Sequence, residues 1–335
     1  MKIGVVVDAG CVLPEDYVRK HNVTILPIAV RVEGREFIDR RDAAGSSDFL
    51  MQAGDLLSQA ETAPLSVEQI ERLFLQRLVI DHDYVLCLTI ASSRSPIYEH
   101  ATQASLSILS RYKPIRADAG VTGPFALRVI DTQTLFTGQA VLAVEAVRMI
   151  EAGVGPNAIR KRLEELIPNT YGYLLPNSLY HLRARAAKKG DKSVGWVKYM
   201  LGSALDIKPV LVANRNESKP VGSLRHFEQG SAKMFQFAIE RIRAGLLTPT
   251  VLLGYTGDLA EMRRLPGYDK FLGVARDAGV EVIEGPGGIT ATINLGPGGL
   301  LLGFSAPQHE FTGDRPRSLA ERPREYREAR RRRSR

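Results

Sequence analysis

Cysteines and long apolar runs are scarce in this sequence. Among 335 residues there are two cysteines, Cys11 and Cys87, and Cys87 lies in an apolar run typical of a buried strand. This argues against a disulfide framework and indicates a reducing compartment. No run approaches the roughly 20 apolar residues that span a bilayer, and the apolar stretch after Met1 and Lys2 is too short for a signal peptide. We therefore expect a cytoplasmic protein without a membrane span.

Several catalytic signatures are also missing. The sequence contains no G-x-x-x-x-G-K-[ST], no G-x-S-x-G, no H-E-x-x-H and no pair of C-x-x-C motifs. Their absence argues against nucleotide hydrolysis by a P-loop, against the common serine-hydrolase elbow and against standard zinc sites. We expect no metal site.

Positive charge is concentrated at the carboxyl terminus. The chain has a formal net charge of +8. Residues 309–335 contain ten arginines against five acidic residues, so this segment alone has a net charge of +5. The remaining chain is nearly balanced, so the count does not require a basic face for nucleic acid. Binding through Arg330–333 would be weak, salt-sensitive and nonspecific, so a nucleic-acid partner is not expected.

The order of apolar patterns predicts two α/β domains. Buried runs at 3–7, 84–90 and 127–130 are each followed by a helical pattern, which favours a mainly parallel sheet flanked by helices. A strand is expected at 24–32 and a helix at 66–79, where Ser66 and Gln69 have the spacing of a capping box. After Pro168 and Asn169 the pattern changes: helices are expected over 176–204, and strands at 207–212, 219–224, 250–253, 280–283 and 299–304. We predict domains at 1–167 and 168–306, the second a smaller α/β layer, and a flexible basic tail at 307–335.

Hydroxyl groups are the most informative polar side chains. Thr62 lies in an expected loop before a helix, and Ser92 and Ser93 follow the carboxyl end of the strand at 84–90. Ligands of open α/β sheets bind outside the carboxyl ends of strands, so these hydroxyls are expected to converge on one polar group. Alternatively, both sites only cap helices.

Other polar and glycine-rich positions have plainer interpretations. His82 lies between two aspartates at the entry of a strand, where we expect a solvated side chain. The glycine clusters at 285–288 and 296–299 either form ordinary turns or let backbone N–H groups approach an anion.

Eight short motifs follow one another along the first 305 residues. They are V-V-V-D with L-P at 13–14, I-L-P at 25–27 with Gly34, Phe37 and Asp39, T-A-P-L-S at 62–66, I-A-S-S at 90–93 running on to Tyr98, V-I-D-T at 129–132, L-Y-H-L-R at 179–183, L-G-S-A-L-D-I-K-P-V at 201–210, and N-L-G-P-G-G-L at 294–300. In this order they resemble the DegV family, which includes the fatty-acid-binding subunits of bacterial fatty acid kinase.

The resemblance implies a specific ligand and partner. In that family a long acyl chain lies in an internal tunnel, and hydroxyls of the two Ser/Thr motifs hold its carboxylate. By position these are Thr62 and Ser92, with Ser93 beside them. Asn294 stands where the family has histidine; it forms hydrogen bonds but cannot carry a proton's charge. The family is not catalytic alone, so no catalytic residue and no cofactor are expected.

Two functions follow as expectations. The first is a fatty-acid-binding protein that presents the carboxylate of a long-chain fatty acid to an ATP-dependent kinase subunit, which would form an acyl phosphate. The alternative is a phosphotransferase acting on a small hydroxy-carbonyl compound, because the DegV fold is similar to that of dihydroxyacetone kinases. Those enzymes need a histidine at the substrate, and the matching loops here contain none.

Overall fold

A computed structural model describes residues 1–181 and 207–311. The strands in this part of the chain are β1 Ile3–Asp8, β2 Thr24–Leu26, β3 Ile28–Val32, β4 Arg35–Asp39, β5 Glu61–Pro64, β6 Tyr84–Thr89, β7 Ala126–Asp131, β8 Thr170–Leu175, β9 Ile207–Asn214, β10 Glu217–Arg225, β11 Thr250–Tyr255, β12 Glu281–Pro286 and β13 Leu300–Ser305. The helices are α1 Glu15–Lys20, α2 Ala43–Ala53, α3 Val67–Leu73, α4 Val79–Asp81, α5 Ile97–Ser107, α6 Tyr112–Asp118, α7 Thr137–Glu151, α8 Pro156–Leu166, α9 Phe227–Ala244, α10 Leu259–Arg263, α11 Tyr268–Asp277 and α12 Gly288–Leu295.

The first sheet has the order β2-β1-β6-β7, and all of its strand pairs are parallel. Its strands β1 and β6 are almost continuously apolar, as strands covered on both faces are. The predicted α/β fold with a parallel sheet and flanking helices is confirmed. The predicted capping box is present as well, since the Ser66 hydroxyl accepts the Gln69 amide and the Gln69 side chain accepts the Ser66 amide.

The second sheet has the order β10-β9-β8-β13-β11-β12. Only β11 and β12 pair in parallel, and the other pairs are antiparallel. This sheet has more strands than the first, although the second predicted domain, 168–306, is the shorter one. Much of the segment expected to be helical, residues 182–206, lies outside the described residues.

A third sheet, β4-β3-β5, was only partly expected. The single strand predicted at 24–32 is wrong, because β2 belongs to the first sheet and β3 to the third. Pro27 separates them, since proline has no N–H to donate to a strand ladder. One short chain segment thereby joins the two sheets.

Helix α7 lies between the first and second sheets. All residues from Thr137 to Val147 are buried, and its side chains pack in one cluster with residues of both sheets, including Leu86 and Leu252. At its start, a Cβ on Gly303 of β13 would lie 2.5 Å from the Thr137 backbone, so the helix touches that strand without an intervening side chain.

The boundary between domains at 167 and 168 stays a prediction, as does the flexible tail. Two side chains of residues 307–311 contact the second domain: the Phe311 side chain is buried, and His309 Nε2 lies 2.9 Å from the hydroxyl of Tyr173. The arginine-rich remainder, 312–335, lies outside the described residues. None of the helices in the described ranges has the length and apolar character needed to cross a membrane.

Candidate functional site

The carboxyl ends of β1, β6 and β7 meet at one edge of the parallel sheet. Asp8 ends β1, Ser92 and Ser93 follow β6, and Asp131 ends β7. Both serines are exposed, whereas Asp8 is fully buried. The predicted position of the serines, beyond a strand end, is where open α/β sheets bind ligands.

Ser92 is held by the carboxylate of Asp131. Its hydroxyl donates to Asp131 Oδ2 at 2.6 Å, and its amide donates to Oδ1 at 3.1 Å. Asn216, in the turn between β9 and β10, donates its Nδ2 to the same Oδ2 at 2.9 Å. The serine loop is thereby tied to the second sheet through a shared carboxylate.

Ser93 makes the second connection to this turn. Its hydroxyl donates to the main-chain oxygen of Asn216 at 2.6 Å. Asn216 has a φ of 62°, the left-handed region in which asparagine is among the more tolerated residues. Sequence reasoning missed Asn216 and gave Asp131 no role, because the turn and β7 are far apart along the chain.

Beneath the serine loop, Asp8 is a buried carboxyl group. It accepts hydrogen bonds from the amides of Gly10 and Ile90 and from the Gln139 side chain, at 2.7 to 3.0 Å. Burial raises the pKa of Asp8 from 3.8 to about 6, although these hydrogen bonds lower it. A lone acidic residue at the end of an apolar strand is the sequence signal that marks such a group.

Thr62 was predicted to lie in a loop, but it lies on strand β5, where its Cα is opposite Val30 of β3. The side chain is half-buried. It shares no hydrogen bond with Ser92 in the described part of the chain. A hydrogen bond joins the chain just after β5 to the helix that follows the serine loop, since Nδ1 of His100 in α5 lies 2.8 Å from the Leu65 oxygen.

Asn294 lies in α12 and shares no hydrogen bond with Ser92 or Ser93 in the described part of the chain. Its Nδ2 donates to the Thr290 carbonyl oxygen at 2.7 Å, one turn earlier in the same helix. The structure thus groups Ser92 with Ser93 and leaves Thr62 and Asn294 on separate elements. Whether the four residues share one ligand stays a prediction.

Two surface depressions lie elsewhere. One of about 710 Å³ is lined by α11 and the start of β12, and one of about 490 Å³ by α3, α6 and neighbouring turns. Neither includes any of the four predicted site residues. Across residues 1–181 and 207–311, no group of three or more His, Cys, Asp or Glu side chains is arranged to hold a metal ion.

Comparison with known proteins finds one family whose model matches most of the chain. The family model described as "Uncharacterised protein, DegV family" matches residues 2–306. A DegV domain-containing protein of Xanthomonas axonopodis pv. citri is 50% identical over 313 residues, which are 93% of this chain and 100% of that protein.

Two solved structures share the fold at 23% sequence identity and a TM-score of 0.71 each. One is a DegV lipid-binding protein from Thermotoga maritima, with 92% of this chain and 100% of that chain covered. The other is a stearic-acid-binding protein from Eubacterium ventriosum, with 91% and 98% covered. At this identity the likeness shows the fold.

Proposed function

Because the chain belongs to the DegV family, we propose that it binds one long-chain fatty acid and holds the carboxylate at Thr62 and Ser92, with Ser93 and Asn294 contributing to the site. The observation that carries the proposal is the exposed pair Ser92 and Ser93 at the carboxyl edge of the parallel sheet. Lipid binding by a solved DegV protein and stearic-acid binding by a second protein of the same fold support it.

The acyl chain supplies the affinity. A C16 chain has about 14 methylenes, and at roughly 0.8 kcal/mol each their burial offers on the order of 11 kcal/mol. Association and ordering remove several of these. The carboxylate has the opposite requirement, since a buried charge without hydrogen bonds costs many kcal/mol. Hydroxyl donors at an exposed edge meet that requirement without adding a counter-charge.

Asp131 sets a condition on this arrangement. In the structure the Ser92 hydroxyl already donates to Asp131. A ligand carboxylate that takes this hydroxyl comes close to a second negative charge, which is unfavourable. Ligand binding therefore requires the Ser92 hydroxyl to turn away from Asp131, toward the acid.

The protein would act as an accessory subunit in the cytoplasm rather than as an enzyme on its own. Ser92 and Ser93 are exposed, so a carboxylate held there is within reach of a second protein. The partner we propose is an ATP-dependent kinase that converts the bound acid to an acyl phosphate. Incubating the acyl-loaded chain with such a kinase and ATP, and assaying for acyl phosphate, tests this part separately from binding.

Native mass spectrometry of protein expressed in bacteria tests the binding itself. We expect a co-purified acid of about 250 to 290 Da, the range for chains with about 14 to 16 methylenes. Repeated preparations that carry no lipid and take up none when oleic acid is added would falsify the proposal.

The headgroup contacts are tested by Thr62→Val combined with Ser92→Ala. We expect retention of the acid to weaken by about tenfold or more, because charged hydrogen bonds contribute about 1.5 to 3 kcal/mol each. The matched control is Thr102→Val with Ser105→Ala, whose hydroxyls bond only to carbonyl oxygens of α5. Equal occupancy in the two double variants would show that the carboxylate is held elsewhere.

A further inference from the structure

Arg41, just after β4, is a buried arginine with most of its donors unused. Its side chain is only 6% exposed. Nη2 donates to the carbonyl oxygens of Leu13 at 3.0 Å and Pro286 at 2.7 Å, while Nε and Nη1 have no hydrogen-bond partner. A guanidinium has five N–H groups, so three of them lack an acceptor.

No carboxylate oxygen in the described ranges pairs directly with this guanidinium, although the negative charge of Asp39 raises the pKa that burial of Arg41 lowers. Asp39 is the nearest candidate, but its oxygens accept from the amide of Arg41 at 3.1 Å and from the amide and hydroxyl of Thr290 at 2.8 and 2.7 Å. Within residues 1–181 and 207–311, Arg41 forms no ion pair. A buried charge with open donors is unfavourable unless a counter-charge comes to it.

One of the open donors, Nη1, lies against the amino terminus of helix α12. A Cβ on Gly288, the first residue of that helix, would lie 2.1 Å from Arg41 Nη1, so only glycine admits the guanidinium there. The first four N–H groups of a helix have no partner within it. The amide of Thr290 donates to Asp39, whereas the amides of Gly288 and Ile289 remain available to a ligand. Guanidinium and helix terminus are both positive, and an anion between them satisfies both.

The backbone at Arg41 is strained as well. Its φ is 64°, in the left-handed region that a long non-glycine side chain rarely occupies. Such strain persists only where the surroundings enforce it, and it is concentrated at ligand sites. Arg40, the preceding residue, and Pro286, which accepts a hydrogen bond from Arg41, are both exposed, so the guanidinium lies close to the surface.

We propose that Arg41 and the first turn of α12 form a binding site for an oxyanion, a carboxylate or a phosphate, between the guanidinium and the N–H groups of Gly288 and Ile289. This site is separate from the hydroxyls of Thr62 and Ser92. Its anion is either free phosphate or the carboxylate of a fatty acid; the second case rests on the proposed function for fatty-acid binding, but it assigns the carboxylate to Arg41 in place of Thr62 and Ser92.

The first arm of the test uses inorganic phosphate and the full-length chain. Phosphate should raise the melting temperature of the wild type and shift the Nε–H resonance of Arg41 in nitrogen-15 NMR spectra. Arg41→Met, or Arg41→Gln should the first variant not fold, is expected to weaken phosphate binding about tenfold or more. The matched control is Arg116→Lys, another buried arginine, which should bind phosphate like the wild type.

The second arm compares oleic acid with oleyl alcohol, which lacks the charge. If the anion is the acid's carboxylate, wild type prefers the acid and the Arg41 variants lose that preference, while phosphate has no effect. A protein that binds neither lipid defeats the proposed function yet leaves the phosphate arm informative. Two results together would overturn the oxyanion site. Phosphate would change neither the melting temperature nor the Arg41 Nε–H resonance, and the Arg41 variants would prefer oleic acid over oleyl alcohol to the same extent as the wild type.

Discussion

An arginine is buried at each of the two edges of the parallel sheet, and the two differ in how many of their N–H groups have an acceptor. At the edge where the strands begin, Arg116 is 2% exposed, and its guanidinium donates to four carbonyl oxygens and to Asp83 at 2.9 Å. Near the edge where the strands end, the Arg41 guanidinium donates, among the described residues, only to the carbonyl oxygens of Leu13 and Pro286. A saturated buried charge fixes a structure, whereas an unsaturated one is available to a ligand.

The aspartates at the two edges differ in the same way. Hydrogen bonds from the amide of Lys2 and from Arg116 lower the pKa of Asp83. Burial raises the pKa of Asp8 to about 6. At the beginning of the sheet, hydrogen bonds stabilise the charges of Asp83 and Arg116. At its end, burial destabilises the charges of Asp8 and Arg41, a pattern that is common at binding sites.

The largest expected difference is in stability. Arg116→Met should lower the free energy of unfolding by about 3 to 5 kcal/mol, because buried carbonyl oxygens and Asp83 lose their donor. Arg41→Met should change it by less than about 1 kcal/mol, since replacing a poorly paired buried charge by an apolar side chain is often neutral. Urea denaturation of both variants measures the difference. Equal losses would remove the distinction between the two edges.

A smaller effect is expected from the pH dependence of Asp8. Because its folded pKa is raised from 3.8 to about 6, its contribution to stability is full below pH 3.8 and is lost as the pH rises through about 6. Relative to Asp8→Asn, which does not titrate, the wild type should lose up to about 3 kcal/mol of unfolding free energy over that window. Denaturant titrations at several pH values measure this. Parallel curves for the two proteins would contradict it.

The smallest expected effect concerns Asp131. Asp131→Asn removes the like charge beside Ser92, which is equivalent to about 1 kcal/mol at a solvated edge, so fatty-acid binding should tighten about fivefold. Binding of the matching fatty alcohol should not change. Competition titrations with a fluorescent fatty acid measure both. Weaker binding of the acid would mean that Asp131 is needed to orient Ser92.

Local signals in the sequence predicted most of the fold. The capping box at Ser66 predicted the start of α3, because a capping box acts within a few residues of the chain. Apolar runs predicted the strands of the parallel sheet. The position of Ser92 and Ser93 followed from the same pattern, since a strand end can be recognised without knowing its neighbours.

Interactions between distant segments were not predictable in this way. His82 was expected to be solvated, but its ring packs against Gly4 and is 8% exposed. Thr62 was assigned to a loop because T-A-P-L-S has no strand pattern, and β5 forms only by pairing with β3. Arg41 stands in the charged sequence D-R-R-D, typical of a surface turn, and its burial depends on β12 and α12.

Helix α7 belongs in sequence to the first half of the chain and in space to both halves. Helix α7 contacts both sheets through its buried faces. A fragment that ends at residue 167 would therefore expose to water the face of α7 that packs on β8 and β13. Since neither half can bury that helix alone, the expected result is a single melting transition for the whole molecule.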